Sequence, residues 1–124
     1  MKKILIAEDD PPSCELLYEL LTANGYEVVQ SSDGAEAVRQ IEQSAPDLIL
    51  LDIQMPVLDG FAVLRWVREH GRFAHLPVAA LTAYAMREDC ERALGEGFDA
   101  HISKPIDTAA LLDQVDRLLE TKAR

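Results

Sequence analysis

Two periodicities of apolar and polar positions alternate along this chain. Residues 3–7, KILIA, are a short apolar run that stops at Glu8, Asp9 and Asp10. Such a run predicts a strand covered on both faces. Residues 12–23 follow a proline and place Leu16, Leu17, Leu20 and Leu21 at helical spacing, and Asn24–Gly25 ends that helix. Residues 27–31, EVVQS, read as a second strand. Asp33 is the N-cap expected for a helix over 34–44 with Ala35, Ala37, Val38 and Ile41 as its stripe, broken by Pro46. DLILLDI at 47–53 is another buried strand ending at an acid. The loop QMPVLDG then leads to a helix over about 60–70 that turns Phe61, Leu64 and Val67 inward. Pro77 opens a fourth strand, PVAALTA, followed by a helix over about 86–95 and a short fifth strand at 99–103, DAHIS. Residues 107–121 carry Leu111, Leu112, Val115, Leu118 and Leu119, the stripe of a closing amphipathic helix.

The pattern is strand then helix, five times over. Helical crossovers make the strands parallel and place helices on both faces of the sheet, so the fold class is α/β. In open sheets of this kind ligands bind beyond the carboxyl ends of the strands. Those ends hold the polar chemistry here: Glu8, Asp9 and Asp10 after the first strand, Asp52 at the third, Thr82 at the fourth and Lys104 after the fifth. Polar strand ends are ordinary one at a time, but the full set is poorly explained that way.

Length and composition narrow the picture further. The 124 residues are 48% apolar and 27% charged, which suits one globular domain with one real core and is too little for two. A formal net charge of −10 argues against binding a nucleic-acid backbone or an anionic membrane surface. Cys14 and Cys90 lie far apart with no CxxC spacing and read as reduced thiols. The apolar run after Lys2 and Lys3 is too short for a signal peptide or a membrane span, so the cytoplasm is the default location.

Carboxylates crowded at a buried edge repel one another and favour either a shared proton or a cation. Magnesium accepts one or two carboxylates, waters and a phosphate oxygen. Calcium would want more protein oxygens, and zinc would want His or Cys. Glu8, Asp9 and Asp52 therefore point to magnesium, which would neutralise an incoming phosphoryl group while a carboxylate attacks it. Lys104 supplies a mobile positive charge for Asp52 or phosphate. The Thr82 hydroxyl can donate to a phosphate oxygen, a contact that exists only after phosphorylation and so can shift a conformational equilibrium.

ILIAEDD, LILLDIQMPVLDG, ALTA and HISKPID, in this order and at these intervals, resemble the response-regulator receiver domains over essentially the whole chain. The resemblance implies a flavodoxin-like (βα)5 fold with sheet order 2-1-3-4-5, and a single receiver domain over 1–124 with no effector domain. It also implies a phosphoacceptor role for Asp52 and an acidic pair Glu8–Asp9, with Asp9 the direct metal ligand. The Gln54 backbone carbonyl would complete the magnesium site, Thr82 would be the switch hydroxyl and Lys104 the phosphate-pairing lysine. Lys104–Pro105 would be a cis peptide bond that aims the lysine at the acids, and Asp59–Gly60 the turn into the third helix. Asp10 is expected to be a solvated bystander.

One departure is His101, where the family often has Tyr or Phe as an inward-swinging switch residue; a half-exposed edge-strand histidine without a switch role is the competing reading. Tyr84, two residues past Thr82, either slows loss of the phosphoryl group or simply covers the sheet edge. Trp66 reads as partly buried packing, and His70 and His75 as surface loop.

The implied partners are a histidine kinase or His-phosphotransfer protein upstream and a protein target downstream, read through the helix over 86–95, the fifth strand and the last helix. No nucleic acid or membrane partner is implied. A monomer at rest is the default, and dimerisation on activation is left open. The MKKILI start favours a stand-alone receiver over one excised from a hybrid histidine kinase. An aspartyl-nucleophile phosphatase would carry a second acid where Gln54 stands, so a turnover enzyme is not expected. A flavin-binding protein would need a phosphate cradle where Glu8, Asp9 and Asp10 would instead repel phosphate.

Overall fold

The computed structural model describes residues 2–53, 55, 57, 59–82, 92 and 94–122. Five strands form one sheet: Lys3–Ala7 (β1), Glu27–Ser31 (β2), Leu48–Asp52 (β3), Val78–Thr82 (β4) and Ala100–Ser103 (β5). All described pairings are parallel and the order is β2-β1-β3-β4-β5, the order implied by the resemblance. The helices are Pro11–Ala23 (α1), Gly34–Ser44 (α2), Gly60–Glu69 (α3) and a C-terminal helix, Thr108–Lys122. The helix expected over 86–95 lies mostly outside the described residues, although 94–96 are helical. Among the described residues no helix is long and apolar enough to cross a membrane.

Strand alternation divides the core into two layers. Leu5, Ala7, Ile49, Leu51, Val78 and Ala80 face α2 and α3, meeting Ile41, Phe61, Leu64 and Val67. Ile4, Ile6, Leu48, Leu50, Ala79 and Leu81 face the other way, onto Leu17 and Leu21 of α1 and Leu111 and Val115 of the C-terminal helix. Covering both faces explains why β3 and β4 read as unbroken apolar runs: every residue of both strands is buried.

Local signals set the helix starts. Asp33 and Asp59 cap α2 and α3, accepting from the N–H of Glu36 and Ala62 at 2.8 and 2.9 Å. At Gly60 a Cβ would lie 2.6 Å from the Asp52 carbonyl oxygen and 2.7 Å from Ile53 Cα, so only glycine lets α3 begin against the end of β3. Gly60 N–H also donates to the Ile53 carbonyl at 2.9 Å, closing the loop between them.

At the opposite edge of the sheet Arg68 joins three segments. Its guanidinium donates to the carbonyls of Ala74, Leu76 and Gly97 and to Asp99 Oδ2 at 2.9 Å, and that same oxygen accepts the Val78 N–H. Trp66 is half-buried as expected, stacked on His70 and near-parallel to Phe73, while His70 and His75 are exposed.

Candidate functional site

The parallel register builds the site. Ala7 pairs with Leu51, so one step further the chain brings Glu8 beside Asp52. Asp52 pairs with Leu81, one residue before Thr82, and Thr82 pairs with Ser103, one residue before Lys104. Four segments distant in sequence therefore end together at the carboxyl edge of β1, β3, β4 and β5. Lys104 N–H donates to the Thr82 carbonyl at 2.8 Å, which fixes the backbone from which the lysine reaches inward. The Lys104–Pro105 peptide bond is cis, as the resemblance implied.

Glu8, Asp52 and Thr82 are buried, and Asp9 is exposed. Carboxylate oxygens of Glu8, Asp9 and Asp52 all lie within 4.8 Å of one another. Lys104 Nζ is 2.6 Å from Glu8 Oε2 and 3.2 Å from Asp52 Oδ2. The Glu8 contact is close but poorly aligned, so Oε2 is an ion-pair partner without a well-formed hydrogen bond. The other Glu8 oxygen accepts the Asp10 N–H at 3.1 Å.

This crowding perturbs the buried carboxyl. Burial, then hydrogen bonding to Asp52, pushes Glu8 up to about 7, although Lys104 and the Asp10 N–H pull the other way. Lys104 loses solvation, which lowers its affinity for a proton, but Glu8 and Asp52 outweigh that loss and hold it above its ordinary value. One ammonium thus faces three acids.

The donor set fits magnesium. An octahedral ion with oxygen ligands at about 2.1 Å spans opposite ligands over about 4.2 Å, close to the spread of these carboxylates. Hard oxygen donors, an exposed acid at the mouth and a surplus of negative charge are what such an ion requires.

Asp10 is exposed as anticipated, yet it also shapes the chain. Its side chain accepts from Ser13 N–H and Ser13 Oγ and caps α1. The Pro11–Pro12 pair and Ser13 that follow were the available signal. His101 lies half-buried on the edge strand β5, opposite Ala80. Gln54 and Tyr84 lie outside the described residues.

A doubly wound parallel sheet with an acid triad and a lysine at its carboxyl edge defines a receiver-type α/β protein. The response regulator receiver domain model matches residues 4–116, and the chain belongs to that family, a domain of two-component signalling. It is 37% identical over 118 residues to the polar-differentiation response regulator DivK of Brucella anthropi, covering 95% of this chain and 96% of that protein. The signal receiver domain of a signal transduction histidine kinase from Syntrophus aciditrophicus is 37% identical with a TM-score of 0.89, covering 98% of this chain and 92% of that one. The receiver domain of a sensor histidine kinase from Pseudomonas aeruginosa is 34% identical with a TM-score of 0.89, covering 96% and 98%. That structure has a magnesium ion coordinated in its active-site cleft.

Proposed function

We propose that this receiver accepts a phosphoryl group on Asp52 from a phosphohistidine of a histidine kinase or His-phosphotransfer protein. The observation that carries the reading is the cluster itself: three carboxylates within 4.8 Å of one another at the carboxyl edge, with one ammonium 3.2 Å from Asp52. Asp9, Glu8, Asp52 and the backbone carbonyl of Gln54 would hold magnesium, which supplies neutralising charge for phosphoryl oxygens.

An Asp52 carboxylate oxygen attacks phosphorus. The new O–P bond forms as the P–N bond breaks, and the electron pair of that bond remains on the imidazole. Lys104 then pairs with a phosphoryl oxygen, and the Thr82 hydroxyl donates to another. Because the Thr82 contact arises only in the phosphorylated state, it biases the region around the segment over 86–95, β5 and the C-terminal helix toward a second arrangement read by a downstream protein. His101, on β5, takes part as a switch residue in this scheme, and Tyr84 would slow loss of the phosphoryl group. The chain acts as one receiver unit over 1–124, in the cytoplasm, as a monomer at rest and without turnover of an external substrate. A stand-alone receiver and a receiver of a hybrid kinase use the same site; relatives of both kinds resemble this chain.

The test is incubation with magnesium and acetyl phosphate, read by intact mass. The expected result is a single added phosphoryl group on the wild type and none on Asp52→Asn. Modification of the variant to the same extent would sink the assignment.

A further inference from the structure

Three steps in this chain join Asn or Asp to glycine: Asn24–Gly25, Asp33–Gly34 and Asp59–Gly60. A glycine nitrogen has no side chain beside it to hinder approach to the preceding side-chain carbonyl. The fold treats the three steps differently. Asp33 and Asp59 accept the N–H of Glu36 and Ala62 as helix caps, and Gly34 and Gly60 are buried. Gly60 N–H is also held by the Ile53 carbonyl. Asn24 and Gly25 are both exposed, and a Cβ at Gly25 would meet nothing within 4 Å.

We propose that Asn24 is a modification site, at which the chain deamidates itself through a cyclic imide, and that the last turn of α1 gates the reaction. The proposal is independent of the phosphoacceptor reading.

The Gly25 nitrogen gives its proton to hydroxide and attacks Asn24 Cγ. The N–Cγ bond forms as the Cγ–Nδ2 bond breaks, and Nδ2 leaves as ammonia with that electron pair and a proton from water. A second water then opens the imide at either carbonyl. One opening leaves aspartate at position 24. The other leaves isoaspartate, whose main chain runs through the side-chain carbon. At Asp33 and Asp59 the electrophile is instead an ionised carboxylate engaged by backbone N–H, which a nitrogen attacks far less readily.

The gate is a set of hydrogen bonds. Gly25 N–H donates to the Thr22 carbonyl at 3.2 Å, and Asn24 Nδ2 donates to the Leu20 carbonyl at 2.7 Å. Both reacting groups are therefore tied to the end of α1 and react only when that turn opens. Exposed terminal turns open locally at low cost, so folding slows the reaction without abolishing it.

The products disturb the same junction. Aspartate replaces the Nδ2 donor with a carboxylate at the negative end of the α1 dipole. Isoaspartate adds a methylene to the main chain just before Tyr26, whose hydroxyl donates to Asp116 of the C-terminal helix. Modification thus loosens the joint between α1, β2 and that helix.

The experiment incubates the full chain at mildly alkaline pH, folded or in guanidinium chloride, and follows it by peptide mass mapping. Loss of ammonia with gain of water is expected only in the peptide carrying Asn24. Its rate should rise with pH and be about tenfold or more slower in the folded chain. Asn24→Asp, one of the two products, should lower the midpoint of thermal unfolding by about 3 °C. A folded chain that stays intact while the unfolded chain converts fully would overturn the proposal. Equal rates in both states would remove the gate, and faster isomerisation at Asp33 or Asp59 in the folded chain would overturn the assignment to Asn24. An unchanged midpoint in Asn24→Asp would overturn the loosening of the joint.

Discussion

Two charged clusters sit at opposite edges of the same sheet, and they are built on opposite principles. At the amino edge Arg68 faces one acid, Asp99, and its remaining donors go to the carbonyls of Ala74, Leu76 and Gly97. The charges match and the guanidinium fork is used. At the carboxyl edge Lys104 faces Glu8 and Asp52, with Asp9 alongside, so negative charge is in surplus. Asp99 accepts two well-aligned bonds, whereas Glu8 holds a raised pKa and an ion-pair oxygen without an aligned donor. A balanced cluster fastens chain segments. An unbalanced one costs stability until something positive or a proton arrives.

The contrast is broken most directly at the amino edge. Arg68→Ala should destabilise by about 3 kcal/mol, because it removes the positive charge facing Asp99 and the donor to three carbonyls. Urea unfolding should show that loss while acetyl-phosphate labelling of the folded protein is retained. A variant as stable as wild type would mean that the amino cluster fastens nothing.

The next effect is a pH dependence from Glu8 in metal-free protein. Its folded value of about 7 lies above the ordinary 4.5. Between these values the folded state binds more protons than the unfolded state, so stability must fall as pH rises. The contribution is fully present below about pH 4.5 and lost as pH climbs through about 7, a fall on the order of 3 kcal/mol. Glu8→Gln should flatten that slope, and saturating magnesium should offset it by favouring the ionised carboxyl. A slope unchanged in Glu8→Gln would place the proton elsewhere.

Third, Asp52→Asn keeps shape and removes one charge from the surplus. It should raise the stability of the metal-free protein by about 1 kcal/mol, whereas Asp99→Asn should lower it. The same sign at both edges in thermal unfolding would erase the distinction.

The smallest effect separates neighbours in one acidic run. Asp10→Ala should cost about 1 kcal/mol through loss of the α1 cap and leave magnesium affinity unchanged, whereas Asp9→Ala should weaken magnesium binding strongly with little effect on the helix. Calorimetric titration with magnesium reads one property and thermal unfolding the other. Equal loss of affinity in both variants would contradict the division of roles.

Much of the architecture was legible because its signals are local. The limits of β1 and β2 match the apolar pattern, β3, β4 and β5 differ from it by about a residue at their ends, and Asp33 and Asp59 cap the helices they precede. The buried stripe of α1 is narrower than its four leucines suggest. Leu17 and Leu21 are buried, but Leu16 is 40% exposed, since four leucines span a wider arc than the sheet covers. Asp10 was hidden in a run of three acids whose members look alike until the chain direction is known. Arg68 carried no usable signal, because three of its four partners are backbone carbonyls that any residue provides.

The sequence by itself determined the alternation of strand and helix, the two-faced burial of the central strands and the residue types available at the carboxyl edge. These follow from periodicity and from the chemistry of single side chains. Tertiary structure decided which acids crowd around one lysine, that Asp10 caps rather than joins them, and that α1 and β2 leave a groove between them. Those outcomes depend on strand register and on distances between residues far apart in the chain. A Coulomb interaction or a hydrogen bond is set by the last few ångströms of separation, and spacing along a sequence does not contain that information.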